Sequence, residues 1–422
     1  MSDSPKSSTG YGTVMDNLLR TWATYYDTEF EFFHIGWQNF ERPHERKIVD
    51  KEGNVHKYVV LPRAKEDYGY DVIGRYINAL NPDVVITLCD MGFQQGYIPI
   101  INELRKHGWG GKWLAYVPLD TNEWAMTWEE STEQFDYFIA MSKWGELMAK
   151  ANTTAKVICI PHGVDTELYQ PDKNKEENKA ESGLNNKFVV GAVGRNQTRK
   201  MWAYQFKAFA RFSKDKNDVV MLLHVDEESP SGWMSGWSLP YIAWKYNISP
   251  RKIKLTLQGL SVVHRFFISP ARMARIYNLM DLYFFLTGGE GFGLPTMEAM
   301  SCGVPVMTTA YTTGFEFVFG DVKPEQTKQD YIPETNEGKS GWLVNPLRDR
   351  YGRHVKFIGY NGVSFVIPDD IHAAQLLEKA YEDWKNGGKL LKQKAKEARK
   401  IAEQYDWKII AKKWIDLFKK IV

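Results

Sequence analysis

The sequence predicts an α/β protein with two doubly wound domains, each built on a parallel sheet. Short apolar runs alternate with helix-length segments in both halves of the chain, which is the order of βαβ units. A charged stretch without apolar periodicity, residues 172–181, separates the two halves and predicts a surface linker or an exposed helix. With 422 residues, the chain is long enough for two hydrophobic cores.

The first predicted domain covers residues 1–165 and contains apolar runs typical of buried parallel strands. These runs are 84–88, 113–117, 137–141 and 157–160. Residues 30–37 predict a further strand, and residues 57–61 predict an edge strand.

Residues 166–187 form the predicted linker, and residues 188–403 form the second predicted domain. Strands and helices alternate again there, with apolar runs at 188–193, 219–224, 253–257, 282–286, 304–307 and 342–344. The segment 404–422 predicts an amphipathic helix whose apolar face consists of Trp407, Ile410, Ala411, Trp414, Leu417, Phe418 and Ile421. Its other face carries Lys408, Lys412, Lys413, Lys419 and Lys420. This basic face predicts a solvated surface, with weak peripheral contact to an anionic membrane as the alternative.

Composition argues against several classes of protein. A net charge of +2 gives no reason to expect nucleic acid as a partner, and 43% hydrophobic with 25% charged residues is typical of a globular protein. The cysteines Cys89, Cys159 and Cys302 are far apart and show no metal-ligand spacing, so we expect reduced thiols. The sequence shows neither a membrane-spanning apolar stretch nor the apolar core of a signal peptide. These features predict a cytoplasmic protein.

A glycine-rich turn follows the apolar run 282–286 and carries the most informative pattern of the chain, Gly-Gly-Glu-Gly-Phe-Gly-Leu-Pro at 288–295. Pro295 suits the first turn of a helix, because its fixed φ is already helical. Strand, turn and helix start therefore direct backbone N–H groups and the positive end of a helix towards one point, which suits phosphate or a polar sugar. Glu290 and Glu298 flank this point, and hydroxyl groups of a sugar or ribose are the natural partners of their carboxylates.

Glu290 and Glu298 are separated by seven residues, and the run Glu-Ala-Met-Ser-Cys-Gly-Val-Pro-Val follows at 298–306. This extended pattern resembles the signature of glycosyltransferase family 4. The resemblance implies the GT-B fold, with two Rossmann-like domains facing a central cleft and a C-terminal helix that crosses back to the first domain. It also implies a retaining hexosyltransferase that needs no metal or cofactor and uses a nucleotide-diphosphate sugar, UDP- or GDP-linked. Glu290 would hold hydroxyls of the donor sugar, while the donor would also contact Glu298, Gly291, Phe292, Gly293 and Leu294.

A second cluster, residues 193–200, follows the first apolar run of the second predicted domain. Arginine supplies a rigid two-pronged donor and lysine a point charge, so the three cations of this cluster suit a diphosphate. The resemblance implies that Arg195 and Lys200 hold the nucleotide diphosphate, with Arg199 as a substitute and Asn196 as a further donor contact.

Weaker motifs lie in the first half of the chain. Residues 8–13 open a helical pattern with a glycine loop, and the resemblance places Gly10, Tyr11 and Gly12 near the donor diphosphate. In the family this loop follows a first apolar strand, which residues 1–7 do not supply, so either the strand is vestigial or the chain begins late. Asp120 takes the place of a histidine found in many family members. A contact with sugar or acceptor and a helix cap are equally compatible with this residue.

Two histidines and two further motifs are predicted to contribute less directly to a binding site. Pro-His-Gly-Val-Asp at 161–165 matches a family turn, in which we expect Gly163 and Asp165 to be structural and His162 to face the cleft. His224, at the end of an apolar run, is expected to be structural, with a place near the nucleotide base as the alternative. Residues 142–143 resemble a Ser-Lys pair of the family without an assigned role in catalysis, and residues 312–316 partly match its Gly-Gly-x-x-Glu turn.

The sequence is also compatible with other functions. The same fold serves sugar phosphorylases and sucrose-type synthases, and a catalytically silent member would bind a nucleotide sugar or scaffold a partner. The acceptor is not identified. We expect loops of the first domain at 38–51 and 124–133 to select it, and their composition is compatible with a glycan, a lipid or a protein.

Overall fold

The computed structural model describes residues 1–7, 9–63, 65–226, 236–256, 268–359 and 362–422. The chain divides into two compact units. The first unit consists of Met1–Leu119, Trp124–Gly163 and Tyr405–Val422. The second consists of Asp120–Glu123 and Val164–Gln404, so the segment predicted to be a linker, residues 166–187, lies within it.

A mixed sheet and a parallel sheet form the core of the first unit. The mixed sheet contains β1 (Phe33–Gly36), β2 (His44–Val49) and β3 (Val55–Pro62), with β3 parallel to β1 and antiparallel to β2. The parallel sheet contains, in spatial order, β4 (Val84–Leu88), β5 (Lys112–Val117), β6 (Tyr137–Ala140) and β7 (Val157–Cys159). The strands of the parallel sheet confirm the predicted apolar runs.

The prediction that residues 57–61 form an edge strand is wrong, because every residue of β2 pairs with β3, from His44 opposite Val60 to Val49 opposite Val55. The apolar pattern of the sequence does not predict β2, because most side chains of this strand are polar and only Ile48 is buried. The prediction of loops at 38–51 and 124–133 is also wrong in part. The first segment contains β2, and the second contains the helix Met126–Thr132.

The helices that accompany these strands are α1 (Gly10–Tyr26), α2 (Tyr70–Leu80), α3 (Met91–Gln94), α4 (Ile98–Lys106), α5 (Met126–Thr132) and α6 (Lys143–Asn152). The Thr9 side chain caps α1 by accepting a hydrogen bond from the Gly12 amide at 3.0 Å. The preceding residue of the predicted loop, Ser8, lies outside the described residues. Val14, Leu18 and Trp22 bury one face of α1, as its periodicity predicts.

Residues 1 and 2 lie where the resemblance requires a first strand. The Met1 carbonyl accepts a hydrogen bond from the Leu88 amide at 3.0 Å, and Ser2 forms a parallel bridge with Gly36. The two residues therefore connect the parallel sheet at β4 with the mixed sheet at β1. A short bridge takes the place of a full strand before α1.

The second unit is built on a parallel sheet and an antiparallel hairpin. The described strands of the sheet are β8 (Phe188–Val193), β9 (Val219–His224), β10 (Ile253–Leu255), β11 (Leu282–Phe285), β12 (Val306–Thr309) and β13 (Gly341–Val344), in the spatial order β10-β9-β8-β11-β12-β13. They confirm the predicted runs, except that Leu257 lies outside the described residues. The hairpin, β14 (Lys356–Ile358) and β15 (Ser364–Val366), was not predicted.

The helices of this unit are α7 (Lys175–Glu181), α8 (Trp202–Ser213), α9 (Leu239–Lys245), α10 (Pro270–Asn278), α11 (Leu294–Ser301), α12 (Gly314–Phe319), α13 (Asp370–Lys385) and α14 (Lys389–Glu403). Within the charged stretch 172–181, α7 packs onto the unit through one side. Lys179 is buried there, with its Nζ 2.8 Å from Asp281 Oδ2. Part of the stretch is therefore a helix, which was one of the two predicted alternatives, and Lys179 is its one buried residue.

The last helix, α15 (Trp407–Ile421), packs against α1 in the first unit. The Trp22 ring lies 6.0 Å from Trp414 and 5.6 Å from Phe418. Part of its predicted basic face is paired with carboxylates, since Lys412 contacts Asp416 on the same helix at 2.7 Å. Contact of this face with an anionic membrane stays a prediction.

The three cysteines form no disulfide. Cys89 and Cys302 are buried, Cys159 is half-buried, and each is a free cysteine. Within the described ranges, no helix combines the length and the apolar character that crossing a bilayer requires. The same ranges contain no group of three or more His, Cys, Asp or Glu side chains placed to hold a metal ion.

Candidate active site

A tight turn connects β11 to α11 and carries the glycine-rich motif. Gly293, the residue before α11, has a φ of +100°, which residues with a Cβ rarely adopt. Pro295 occupies the first turn of α11, as predicted. The hydrogen bonds that fasten the turn run from Gly288 N to Arg199 O (2.8 Å), from Thr287 Oγ1 to Gly289 O (3.0 Å) and from Glu290 N to Thr312 Oγ1 (3.0 Å).

Backbone amides are available at the start of α11. In the described part of the chain, the N–H groups of Gly291, Gly293 and Leu294 donate no hydrogen bond to a protein atom. Amides of this kind, at the positive end of a helix, suit an anion such as phosphate. Phe292 lies between them with a buried side chain whose ring packs edge-on to Phe317 at 5.8 Å, so this side chain anchors the turn.

A buried ion pair lies beside this turn. Lys200 Nζ donates to Glu290 Oε1, and both side chains are almost fully buried. Arg199 Nη1 lies 3.5 Å from Glu290 Oε2 and donates to Gly289 O at 2.9 Å. The Glu290 carboxylate therefore faces two cations in a region that water screens poorly, where charges interact strongly.

The ion pair shifts the titration of both partners. Burial lowers the pKa of Lys200 to about 8, and the charge of Arg199 acts in the same direction against the attraction of Glu290. Burial alone would raise the pKa of Glu290, but the charges of Lys200 and Arg199 outweigh burial and hold that pKa below its usual value. At neutral pH the pair is therefore ionised.

Asp120 belongs to the same cluster. It lies in the segment after β5, is counted in the second unit, and has its Oδ2 4.0 Å from Arg199 Nε. The alternative prediction of a helix cap is wrong, because the next helix, α5, has Ala125 at its N-cap. The structure therefore brings together Lys200, Arg199, Glu290 and Asp120, two cations with two carboxylates.

Arg195 and Asn196 differ from the cluster in their surroundings. The Arg195 side chain is exposed, and its backbone carbonyl accepts a hydrogen bond from Trp202 Nε1 at 3.0 Å. Asn196 is buried, and its Nδ2 donates to the carbonyls of Asp226 (3.0 Å) and Trp237 (2.6 Å). Its Oδ1 accepts from Trp237 N at 2.8 Å. The amide of Asn196 is therefore engaged with Asp226 and Trp237, which is at odds with its predicted contact to the donor.

Glu298 lies on α11 in a separate polar cluster. Tyr277 Oη donates to Glu298 Oε2 at 2.6 Å. Burial raises the pKa of Glu298 to about 7, although hydrogen bonds from Tyr277 and Tyr169 act in the opposite direction. The carboxylate retains acceptor capacity for further hydroxyl groups, because each of its oxygens accepts more than one hydrogen bond.

The remaining predicted residues lie in the first unit, at the start of α1. Tyr11 Oη donates to Asp90 Oδ1 at 2.7 Å, which ties Gly10 and Tyr11 to the end of β4. Gly12 allows close packing, because a Cβ there would lie 2.5 Å from the Ser7 carbonyl oxygen. The contact of Gly10, Tyr11 and Gly12 with a donor stays a prediction.

The histidines have structural surroundings. His162 is buried in the first unit with its Nδ1 2.6 Å from Tyr116 Oη, and burial lowers its pKa to about 3. His162 therefore lies in the core of the first unit, and its predicted place facing the cleft stays a prediction. His224 Nδ1 lies 2.7 Å from Thr256 Oγ1, and burial lowers the pKa of His224 to about 4.

Two threonines that the sequence analysis did not select shape the turn around Glu290. Thr287 Oγ1 donates a hydrogen bond to the Gly289 carbonyl oxygen and accepts one from the Gly289 amide. Thr312 Oγ1 accepts a hydrogen bond from the Glu290 amide, and the backbone of Thr312 has a φ of +47°. The signal for Thr312 was its place in the partly matching motif 312–316, whereas a lone threonine after an apolar run carries no comparable signal.

Gly289→Ala is expected to destabilise the second unit by up to about 3 kcal/mol, as for other overpacked sites. A Cβ at this position would lie 1.8 Å from the Asp120 carbonyl oxygen, so the turn or the Asp120 segment has to move. Denaturant unfolding of the variant measures this loss. Gly110→Ala is the matched control, because a Cβ there meets nothing within 4 Å. Equal stability of the two variants would show that the turn does not pack against Asp120.

Comparison with solved structures identifies the class of fold. The chain superimposes along its whole length on a sucrose-phosphate synthase from Thermosynechococcus elongatus, with a TM-score of 0.68, 16% identity and coverage of 100% of this chain and 94% of the other. Anabaena Alr3699/HepE, solved with UDP and glucose, gives a TM-score of 0.64 at 14% identity, covering 99% and 98%. The fold is therefore GT-B, with two Rossmann-like domains.

A family model matches part of the second unit. Residues 174–328 match the family model of glycosyl transferases group 1, an interval that contains Arg199, Lys200, Glu290 and Glu298. A D-inositol 3-phosphate glycosyltransferase of Segniliparus rotundus is 32% identical over 157 residues, 36% of this chain and 31% of that protein. The lipopolysaccharide core biosynthesis mannosyltransferase LpsB of Rhizobium meliloti is 28% identical over 183 residues, 41% of this chain and 48% of that protein.

A third relative matches more of the chain. A probable sucrose-phosphate synthase of Thermosipho melanesiensis is 21% identical over 294 residues, 70% of this chain and 53% of that protein. The chain therefore spans about a third to a half of the length of these curated relatives.

Proposed function

We propose that this protein is a retaining glycosyltransferase that moves a hexose from a nucleotide-diphosphate sugar to a hydroxyl group of an acceptor. The observation that carries the proposal is the pairing of Lys200 and Arg199 with Glu290 beside the amides at the start of α11. Cations and helix amides suit the departing diphosphate, and the carboxylate suits sugar hydroxyls. The group 1 family match over the same residues supports this assignment.

The cations and the carboxylates of the cluster would bind different parts of the donor. Lys200, Arg199 and the exposed Arg195 would bind the diphosphate and stabilise the negative charge that develops as it departs. Glu290 would accept hydrogen bonds from hydroxyls of the donor sugar, and Glu298 would accept them from the ribose. Asp120, held beside Arg199, would lie near the reacting sugar.

Retention of the anomeric configuration follows if the acceptor attacks on the face from which the diphosphate departs. The acceptor oxygen forms the new bond to the anomeric carbon, the bond from that carbon to the phosphate oxygen breaks, and the phosphate oxygen takes the acceptor proton. This route needs no base from the protein. It is compatible with a cluster in which Glu290 and Asp120 are both engaged by Arg199.

Donor binding tests the proposal directly. Purified protein is titrated by calorimetry with UDP-glucose, UDP-galactose, UDP-N-acetylglucosamine and GDP-mannose, and release of the nucleotide is measured in parallel. We expect one donor to bind and to be hydrolysed slowly, with the sugar first released as the same anomer. Lys200→Met is expected to lower this turnover by about 100-fold. A folded protein that binds none of these donors would contradict the proposal and favour a silent scaffold.

A second candidate function is a synthase that glycosylates a hexose phosphate. The similarity in sequence to a probable sucrose-phosphate synthase over 70% of the chain supports this acceptor class. Adding fructose 6-phosphate to the donor assay tests it. Faster release of nucleotide with formation of a phosphorylated disaccharide would support the synthase, whereas an unchanged rate would leave a glycan, lipid or protein as acceptor.

Binding of UDP is expected to weaken as pH rises above about 8. A bound diphosphate favours protonated Lys200, whose pKa is about 8, so affinity changes little just below that pH and falls above it. The expected limit is about tenfold for each pH unit, because one proton is taken up on binding. Calorimetric titrations of UDP across this range measure the slope. In Lys200→Arg the slope should disappear, because guanidinium stays charged, and a slope that persists would assign it to another group.

A further inference from the structure

The tetrapeptide Asp120–Glu123 lies outside any helix or strand and is nevertheless fixed by several hydrogen bonds. It belongs to the second unit, although it follows β5 of the first unit in sequence. Thr121 and Asn122 are only 1% and 5% exposed. Thr121 Oγ1 donates to Ser364 O at 2.7 Å, and Asn122 Nδ2 donates to Lys328 O at 3.1 Å.

Tyr311, two residues after β12, holds the tetrapeptide through its hydroxyl. This oxygen accepts a hydrogen bond from the Asn122 amide at 2.9 Å and donates to Asn122 Oδ1 at 2.7 Å. The Tyr311 side chain is buried, and burial raises its pKa well above the usual value, so the hydroxyl keeps its proton. One phenol therefore fixes both the backbone and the side chain of Asn122.

The hairpin β14–β15 holds the tetrapeptide from a second direction. Lys356 Nζ, on β14, lies 3.3 Å from Asn122 Oδ1 and 3.3 Å from Glu123 Oε1. Glu123 Oε2 accepts a hydrogen bond from the amide of Ser364, on β15, at 2.8 Å. Both strands of the hairpin thus contact the tetrapeptide.

The same hairpin contacts the glycine turn. Val366 N, on β15, donates to Gly288 O at 3.1 Å. A Cβ on Gly289 would lie 3.4 Å from the Phe365 ring and 1.8 Å from the Asp120 carbonyl oxygen, so turn, hairpin and tetrapeptide are in mutual contact. The hairpin therefore touches both segments that supply carboxylates to the cluster, Asp120 from one and Glu290 from the other.

We propose that Tyr311 and Lys356 are positioning residues, which fix the tetrapeptide so that the Asp120 carboxylate stays beside Arg199 in the donor site. They contact Asn122 and Glu123, and they would act on the reaction only through Asp120. The role of Asp120 in turnover rests on the proposed function. The contacts that hold the tetrapeptide do not.

Tyr311→Phe tests the positioning role, because it removes one oxygen and leaves the ring. We expect kcat for donor turnover to fall by about tenfold with little change in the KM for the donor, since loss of alignment acts on the reacting geometry. Tyr381→Phe is the matched control: Tyr381 is also buried in the second unit, and its hydroxyl donates to Asp218 Oδ1 at 2.9 Å. The control is expected to lose similar stability and to keep its kcat.

A double-mutant cycle separates positioning from general destabilisation. In the background of Asp120→Asn, Tyr311→Phe should lower kcat no further, because its effect passes through Asp120. Lys356→Met should behave as Tyr311→Phe does, and Lys356→Arg should restore most of the loss. Independent, multiplying effects of Tyr311→Phe and Asp120→Asn would overturn the proposal.

Hydrogen exchange tests the same inference without any activity. Exchange of the backbone amides of 120–123 should become faster in Tyr311→Phe and Lys356→Met, and should stay as in the wild type in Tyr381→Phe. Unchanged exchange in the first two variants would overturn the proposal whatever the donor assay shows. Faster exchange in a protein that turns over no donor would retain the anchoring of the tetrapeptide but overturn its catalytic purpose, and the donor titrations would identify this as failure of the proposed function.

Discussion

Replacing Glu290 with alanine is expected to lower the free energy of unfolding of the second unit by about 3–5 kcal/mol, because Lys200 is left buried without its partner. Lys200 donates to Glu290 Oε1, and both side chains are almost fully buried. Under the proposed function, donor turnover should also fall by at least about 100-fold, because the donor hydroxyls would lose their acceptor and the two cations would lose the partner that holds them in place. Denaturant unfolding, fitted with one transition for each unit, measures the stability.

A second variant separates the two effects of Glu290. Removing both charges, in Glu290→Gln with Lys200→Met, should recover most of the stability, because a buried ion pair is often replaceable by neutral groups of similar volume. It should recover none of the turnover. A Glu290→Ala protein as stable as the wild type would show that Lys200 is solvated or neutral, and would contradict the buried pair.

Replacing Trp414 with alanine is expected to destabilise the first unit by about 3–5 kcal/mol, the usual range for deleting a buried tryptophan. The Trp414 side chain is fully buried on α15, 5.1 Å from the Tyr116 ring and 6.0 Å from Trp22 on α1. The substitution would leave a cavity in place of the contacts that Trp414 makes with the parallel sheet and with α1. Thermal unfolding of the first unit, with the second unit as an internal reference, measures the effect.

The control for this substitution is Trp244→Ala. Trp244 is 72% exposed, so the same change should alter stability by no more than about 0.5 kcal/mol. If Trp414→Ala unfolds as the control does, α15 is not docked on α1 in solution. In that case its basic face would be available for other contacts, including the predicted membrane contact.

The parallel strands could be predicted from the sequence because both of their faces are buried. Burial on two faces leaves a continuous apolar run, as at β8 and β11, where every residue is buried. β2 and the hairpin β14–β15 could not be predicted in the same way. Their strands are short and carry several polar side chains, so no run or strict alternation marks them, although Asn361-Gly362 is a turn signal in the sequence.

The candidate site divides along similar lines. Glu290 and Lys200 come from motifs that local spacing reveals, but the sequence ranked Arg195 above Arg199. In the structure Arg199 contacts the Glu290 cluster, and the Arg195 side chain is exposed. Tyr311 lies 189 residues from Asn122 in the chain, and pairing over such a distance leaves no local pattern that a single sequence displays.

The pairing of Lys200 with Glu290 also bears on which molecules the proposed donor site would bind weakly. An isolated phosphate ion would have to separate the pair and would leave Glu290 buried without its strongest partner, so it gains little. A donor sugar-diphosphate presents an anion and hydroxyl groups together, and so offers a substitute for each half of the pair at once. Under the proposed function, the site therefore favours a ligand that carries both chemical groups, and free phosphate is expected to compete poorly with the donor.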